Sequence, residues 1–127
     1  MSQKDNFFNI NDLSKGISRT LTQGLKASIF PGEQAMVSVV TIDPNSKGNI
    51  HDHPEEQWSI MISGDAIRIQ GGEEIQVKEG DFWFTPGGVS HGVIGGNKGA
   101  LILDFFAPAR EEYKRPGKGY AKNKNLF

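Results

Sequence analysis

Cysteine is absent from this chain of 127 residues, and histidine occurs only at positions 51, 53 and 91. The first absence excludes disulfides and thiolate metal ligands, so a bound metal would have nitrogen and oxygen donors alone; it is compatible with either redox environment. No apolar run approaches the ~18 residues needed to span a bilayer as a helix. The opening "MSQKDNFFNINDL" has no apolar h-region of the secretory type, and the expectation is a cytoplasmic protein without a membrane anchor. An excess of either charge is also missing: 14 Lys and Arg against 15 Asp and Glu leave a net charge of -1, which gives no footprint for nucleic acid. Sustained 3.6-residue periodicity and internal repeats are missing too, which argues against helical and solenoid architectures.

What the chain does have is short apolar runs separated by glycine-rich punctuation, with 16 glycines in all. At this length that pattern predicts one all-β domain, a sandwich or barrel. Strands are expected at 25–30, 34–42, 57–63, 66–70, 74–78, 81–85, 91–95 and 100–107. Turns are expected at "PGE", "PNSKGN", "GD", "GGE", "EGD", "PGG" and "GNKG", where glycine and proline supply the required backbone angles. The domain is taken as 1–107. Residues 108–127, "PAREEYKRPGKGYAKNKNLF", are basic and poor in apolar matter, and read as a C-terminal extension, extended or partly disordered.

The stretch "HDHPEEQWSIMISG" (51–64) carries the first chemistry. Side chains alternate along an extended strand, so His51 and His53 share a face and parity adds Gln57 to it, not Glu56. Beyond Gln57 that face continues with Ser59, Met61 and Ser63, while Trp58, Ile60 and Ile62 take the other and call for packing or a second subunit. In "GDFWFTPGGVSHGVIG" (80–95) a turn at Pro86, Gly87 and Gly88 delivers His91 to the start of the next strand. A third imidazole can thereby reach the first two.

These two stretches resemble the paired motifs of the cupin superfamily, G(X)5HXH(X)3,4E(X)6G and G(X)5PXG(X)2H(X)3N. Gly80, Pro86, Gly88 and His91 match the second, with Gly95 in place of Asn; His51, His53 and Gly64 match the first, with Asn45 for the leading glycine and Gln57 for Glu. The resemblance implies a double-stranded β-helix, or jelly-roll, barrel. It also implies a divalent metal held by His51, His53, Gln57 and His91. Three imidazoles and one amide oxygen suit Mn, Fe, Co, Ni or Zn; the alternative is a metal-free barrel in which the histidines only hydrogen-bond. A carboxamide where the family has a carboxylate would leave the ion's full charge to act on a bound oxygen.

Within that superfamily, "HDHPEEQ" and "DFFAPARE" (104–111) are similar to "HXHPHEQ" and "D-x-F-x-P-x-R-E" of small cupins in pectin and alginate breakdown. Those proteins open 4,5-unsaturated monouronates to the linear keto form. The likeness implies functional roles for Asp104, as proton shuttle, and Arg110, as the grip on a substrate carboxylate. The plainer reading is a structural Asp104–Arg110 ion pair closing the last strand. Glu55 departs from the family's frequent histidine and is expected at the pocket rim. Trp83, Thr85, Met61 and Phe106 read either as sugar contacts or as core, and Arg68 either meets a carboxylate or faces solvent.

A metal-dependent isomerase of small sugar acids is therefore the leading expectation, with a homodimer as its assembly. Against it stand an Fe or Mn dioxygenase, a lyase on a small organic acid, and a non-catalytic sugar-binding cupin. The lyase is disfavoured because both tyrosines, Tyr113 and Tyr120, lie in the C-terminal extension.

Overall fold

The computed structural model describes residues 3–120. Eight strands follow one another: β1 (Ile17–Thr22), β2 (Leu25–Pro31), β3 (Met36–Ile42), β4 (Glu56–Gln70), β5 (Glu73–Lys78), β6 (Phe82–Thr85), β7 (His91–Ala107) and β8 (Gly117–Lys118). Short 3-10 turns occupy Gln3–Asn6 and Glu111–Lys114. No helix among the described residues is long and apolar enough to cross a membrane.

One sheet in the order β5-β4-β7-β3-β2-β1-β8, with β6 also paired to β4, wraps into the all-β barrel that the spacing of apolar runs predicts. All pairings are antiparallel except β1 with β8. The two long strands carry the architecture. The first half of β4 pairs with β6 and the last half of β7, while its second half pairs with β5 and the first half of β7.

Here the structure departs from the expected turns. "GD" at 64–65 and "GNKG" at 96–99 do not reverse the chain; β4 and β7 run through them, with register shifts between Met61 and Ser63 and between Gly64 and Ala66. A bulge bends a strand without ending it, which lets one pair of strands serve both halves of the barrel. Gly64 makes the bend possible: its φ is 89°, and a Cβ there would lie 2.0 Å from the Gly99 carbonyl oxygen. Strand β1 was not among the expected strands, because "ISRTLT" is short and mostly polar.

The core follows from alternation. Met36, Ser38, Val40 and Ile42 of β3 point inward, in register with Phe106, Asp104, Ile102 and Ala100 of β7. Leu25, Ile29, Met36 and Met61 are essentially inaccessible to water, and each such side chain contributes about 1.5–3 kcal/mol of burial free energy. Val39 points outward yet is also buried, because Phe8, Ile10 and Leu13 of the N-terminal segment share an apolar groove with Val37, Val39, Leu103 and Phe105.

The C-terminal extension is described as far as residue 120. Residues 108–120 are folded against the barrel: Ala109, Arg110 and Tyr113 are buried, and β8 pairs with β1. Arg19, itself buried, holds this segment through three backbone carbonyls, donating from Nε to Gly119 (2.7 Å), from Nη1 to Glu112 (3.1 Å) and from Nη2 to Lys118 (2.8 Å). Composition could not show this, since the anchor lies a hundred residues away. Residues 121–127 of the expected extension lie outside the described residues.

Candidate metal centre

The histidines converge. His51 and His91 exchange backbone hydrogen bonds (3.0 and 2.9 Å), and Gly88 N–H donates to the His53 carbonyl at 2.8 Å, so both sequence stretches are stitched side by side. Ring centroids are 4.4 Å apart for His51 and His91, 4.8 Å for His53 and His91, and 5.8 Å for His51 and His53. One ring nitrogen from each lies within 4.8 Å of the others. Asn45, where the superfamily pattern has glycine, has a φ of 62°; asparagine is among the few non-glycine residues that tolerate this left-handed region.

Each imidazole is oriented by the main chain. His51 Nδ1 lies 2.8 Å from the Asn49 carbonyl, His53 Nδ1 2.9 Å from that of Glu55, and His91 Nδ1 2.8 Å from that of Val89. A carbonyl can only accept, so Nδ1 carries the proton in all three rings and Nε2 presents a lone pair. Burial, then His91, lowers the pKa of His51 to about 4. For His53 burial and then Arg110 bring it to about 3, and burial lowers His91. The rings are therefore neutral near pH 7, the form that binds a cation.

Two features of the cluster suit a cation. His91 Nε2 is buried with no hydrogen-bond partner among the described residues. His53 Nε2 sits 3.1 Å from Gln57 Oε1, while Gln57 Nε2 donates to Ser59 Oγ at 3.1 Å. With its proton on Nδ1, a neutral His53 meets the Gln57 oxygen acceptor to acceptor. His53 Nε2 and Gln57 Oε1 would both serve as donors to a divalent ion, and three neutral imidazoles with an amide oxygen are a suitable donor set.

The network continues inward. Ser59 Oγ donates to Asp104 Oδ1 at 2.6 Å, joining the acid expected from the sequence to the histidine cluster through Gln57. Burial pushes the Asp104 carboxyl up to about 6, against the lowering effects of the Ser59 and Gln57 hydrogen bonds and of the Arg110 charge. Arg110 is buried as well. Its Nε lies 3.8 Å from Glu55 Oε1, an Nη donates to the Tyr120 carbonyl, and its guanidinium sits 4.0 Å from the Tyr113 ring centroid. Glu55 is thus beside Arg110 and His53 and only partly exposed.

His51, Gln57, His91, Asp104 and Arg110 line one cavity of about 70 Å³. Trp83, Thr85 and Phe106 line it too, whereas Met61 belongs to the core. The sequence reading did not assign Ser59, Arg68, Gln70, Tyr113 or Tyr120 to the site, and all five are on the cavity wall. For Ser59 the signal was parity along β4; Arg68 and Gln70 have the opposite parity and face the cavity only beyond the register shifts between Met61 and Ala66, and for the tyrosines there was no signal. Tyr120 stacks on His51 with centroids 4.1 Å apart, which removes the tail-position argument against a lyase.

A bent β-barrel with three inward imidazoles defines a small jelly roll whose histidine cluster is consistent with a metal site. The Cupin domain family matches residues 38–106, more than half of the chain, and the protein belongs to that family. It is similar to oxalate decarboxylase OxdC of Bacillus subtilis (strain 168), with 31% identity over 83 residues, 61% of this chain and 22% of the relative. The chain thus spans about a fifth of that protein's length. Among solved structures, an RmlC-like cupin from Shewanella frigidimarina superposes with a TM-score of 0.71 at 26% identity, covering 79% of this chain and 90% of the other. KdgF from Halomonas sp. superposes at 0.72 with 22% identity, covering 84% and 94%. A structure of the Bacillus subtilis decarboxylase, described for its Mn(II) centers, superposes at 0.68 with 24% identity over 76% of this chain and 28% of that one.

Proposed function

We propose that this protein is a metal-dependent cupin that opens 4,5-unsaturated uronates to their linear keto form. The observation that carries the reading is the continuous chain from His53 through Gln57 and Ser59 to Asp104, which ties a carboxyl of pKa about 6 to the three-imidazole cluster. The paired "HDHPEEQ" and "DFFAPARE" stretches supply the substrate class.

His51, His53, Gln57 and His91 hold the divalent ion in this reading. When bound, it would supply positive charge that lowers the proton affinity of a sugar hydroxyl. Asp104 is mostly ionised near pH 7 and accepts the proton of the anomeric hydroxyl. The C1–O5 bond then breaks, C1 becomes an aldehyde, and the ring oxygen is left as the enolate of C5. Asp104 returns the proton to C4, and C5 becomes a ketone. Atoms and electrons balance within the substrate, so no oxidant is required. Arg110, fixed by Glu55 and the Tyr120 carbonyl, holds a constant positive charge beside this path.

Mn(II) is the first metal to test, on the strength of the decarboxylase relative. A decarboxylase or lyase on a small acid is the second reading, favoured by the same relative and by two tyrosines in the cavity. Burial pushes Tyr120 up to about 12 and raises Tyr113, so neither is a ready base near pH 7. The deciding experiment follows the ultraviolet absorbance of unsaturated galacturonate with Mn(II)-loaded protein, beside an O2 electrode and a CO2 assay on oxalate. Loss of absorbance without O2 uptake supports the ring opener; CO2 release alone supports the second reading.

A further inference from the structure

Arg68 is the cation of the cavity that the reading above does not use. It lies on β4 in register with Val93, two residues before Gln70, which is in register with His91. Arg68, Gln70, Val93 and His91 all line the cavity, so Arg68 stands one step along the wall from a histidine of the cluster.

Its orientation is fixed. Arg68 Nε donates to Gln70 Oε1 at 3.2 Å, and Thr85 Oγ1 donates to the same oxygen at 2.8 Å. Gln70 Nε2 donates to the Phe84 carbonyl at 3.0 Å, so the amide cannot rotate without losing three bonds. That pins the inner edge of the guanidinium. Among the described residues neither terminal nitrogen of Arg68 has a hydrogen-bond partner and no carboxylate forms an ion pair with it. Arg110 differs: it already has Glu55 and a carbonyl beside it. Arg68 is half-buried on the cavity wall, and the N–H groups of a planar guanidinium fork match the two oxygens of a carboxylate.

We propose that Arg68 binds the carboxylate of the substrate, with Gln70 and Thr85 as its positioning residues. The ligands so selected are small acids that also carry an oxygen able to reach the histidine cluster. The proposal rests on the proposed function for its uronate substrate, while carboxylate binding is measurable without turnover.

The test is calorimetric titration of Mn(II)-loaded protein with galacturonate, which has no double bond to rearrange, and with neutral galactose. Wild type is expected to bind galacturonate and to prefer it over galactose. Arg68→Gln should weaken galacturonate at least about tenfold, the scale of lost charge-assisted hydrogen bonds, and leave metal content unchanged. Arg68→Lys should recover part of the binding. Gln70→Leu should raise KM for acidic substrates with kcat little altered. Galacturonate binding by Arg68→Gln at wild-type strength, or no preference for the acid in wild type, overturns the proposal. Arg68-dependent binding in a protein that never turns over unsaturated uronate supports it and sinks only the ring-opening reading.

Discussion

Ser59 and Asp104 face each other in register on β4 and β7, and the serine hydroxyl donates a 2.6 Å hydrogen bond to the aspartate. That bond favours the ionised carboxylate and opposes the burial that raises its pKa. Ser59→Ala is therefore expected to move the Asp104 pKa above its value of about 6, and the acid limb of the kcat profile should shift to higher pH. Asp104→Asn should abolish turnover with metal content intact; ordinary activity on an unsaturated uronate would show that the proton path runs elsewhere.

His53→Ala and His91→Ala should each strip the protein of metal, read by elemental analysis of purified material. Gln57→Glu is the more informative change. A carboxylate should hold the cation more tightly but cancel part of its charge, so metal content should persist while turnover drops. Higher activity in Gln57→Glu would contradict the role given to the amide.

The metal-free protein should lose stability on acidification. His51 and His53 have folded pKa values of about 4 and about 3, below the ordinary 6.5, and His91 is lowered as well. In that window the unfolded chain binds protons that the folded chain does not, so stability falls as pH falls. Asp104 acts in the opposite sense between 3.8 and about 6, where its folded carboxyl keeps a proton that the unfolded one releases, and offsets one histidine. The melting temperature should therefore decline from about pH 7 to about pH 5; a flat profile would contradict neutral buried imidazoles.

Arg19→Met should release the segment that carries Arg110 and Tyr120. Three hydrogen bonds to backbone carbonyls disappear, and the expected loss is about 2–4 kcal/mol, measured by denaturant unfolding. Arg19→Lys should recover little, since an ammonium cannot span three carbonyls.

The homodimer expected from the sequence is kept as a proposal, with the outer face of β4 and β6 as its surface. Trp58, Phe82 and Phe84 remain 45%, 67% and 37% exposed there, and the Trp58 and Phe84 rings lie 5.0 Å apart. Light scattering should give twice the chain mass, and Phe82→Glu should halve it.

Legibility in the sequence followed the range of the forces involved. The barrel class and the face shared by Gln57 and Ser59 rest on two-residue alternation, a local property; His51 and His53 precede β4, across a bend at Pro54 and Glu55, and were legible through the motif. Reading Gly64 as a turn failed because glycine at positive φ serves a bulge as readily as a reversal, and the deciding neighbour, Gly99, is distant in sequence. Arg110 was found through motif likeness, but its neighbours Glu55 and Tyr120 depend on how the C-terminal segment docks. That docking is set by Arg19 and was invisible to composition.

The carbonyls that orient the three imidazoles belong to the backbone at Asn49, Glu55 and Val89. Side-chain substitution at those positions does not delete them. The chemistry of the pocket lining can therefore be rewritten through evolution or design, exchanging one substrate preference for another, while the arrangement of the three imidazoles passes unchanged from variant to variant.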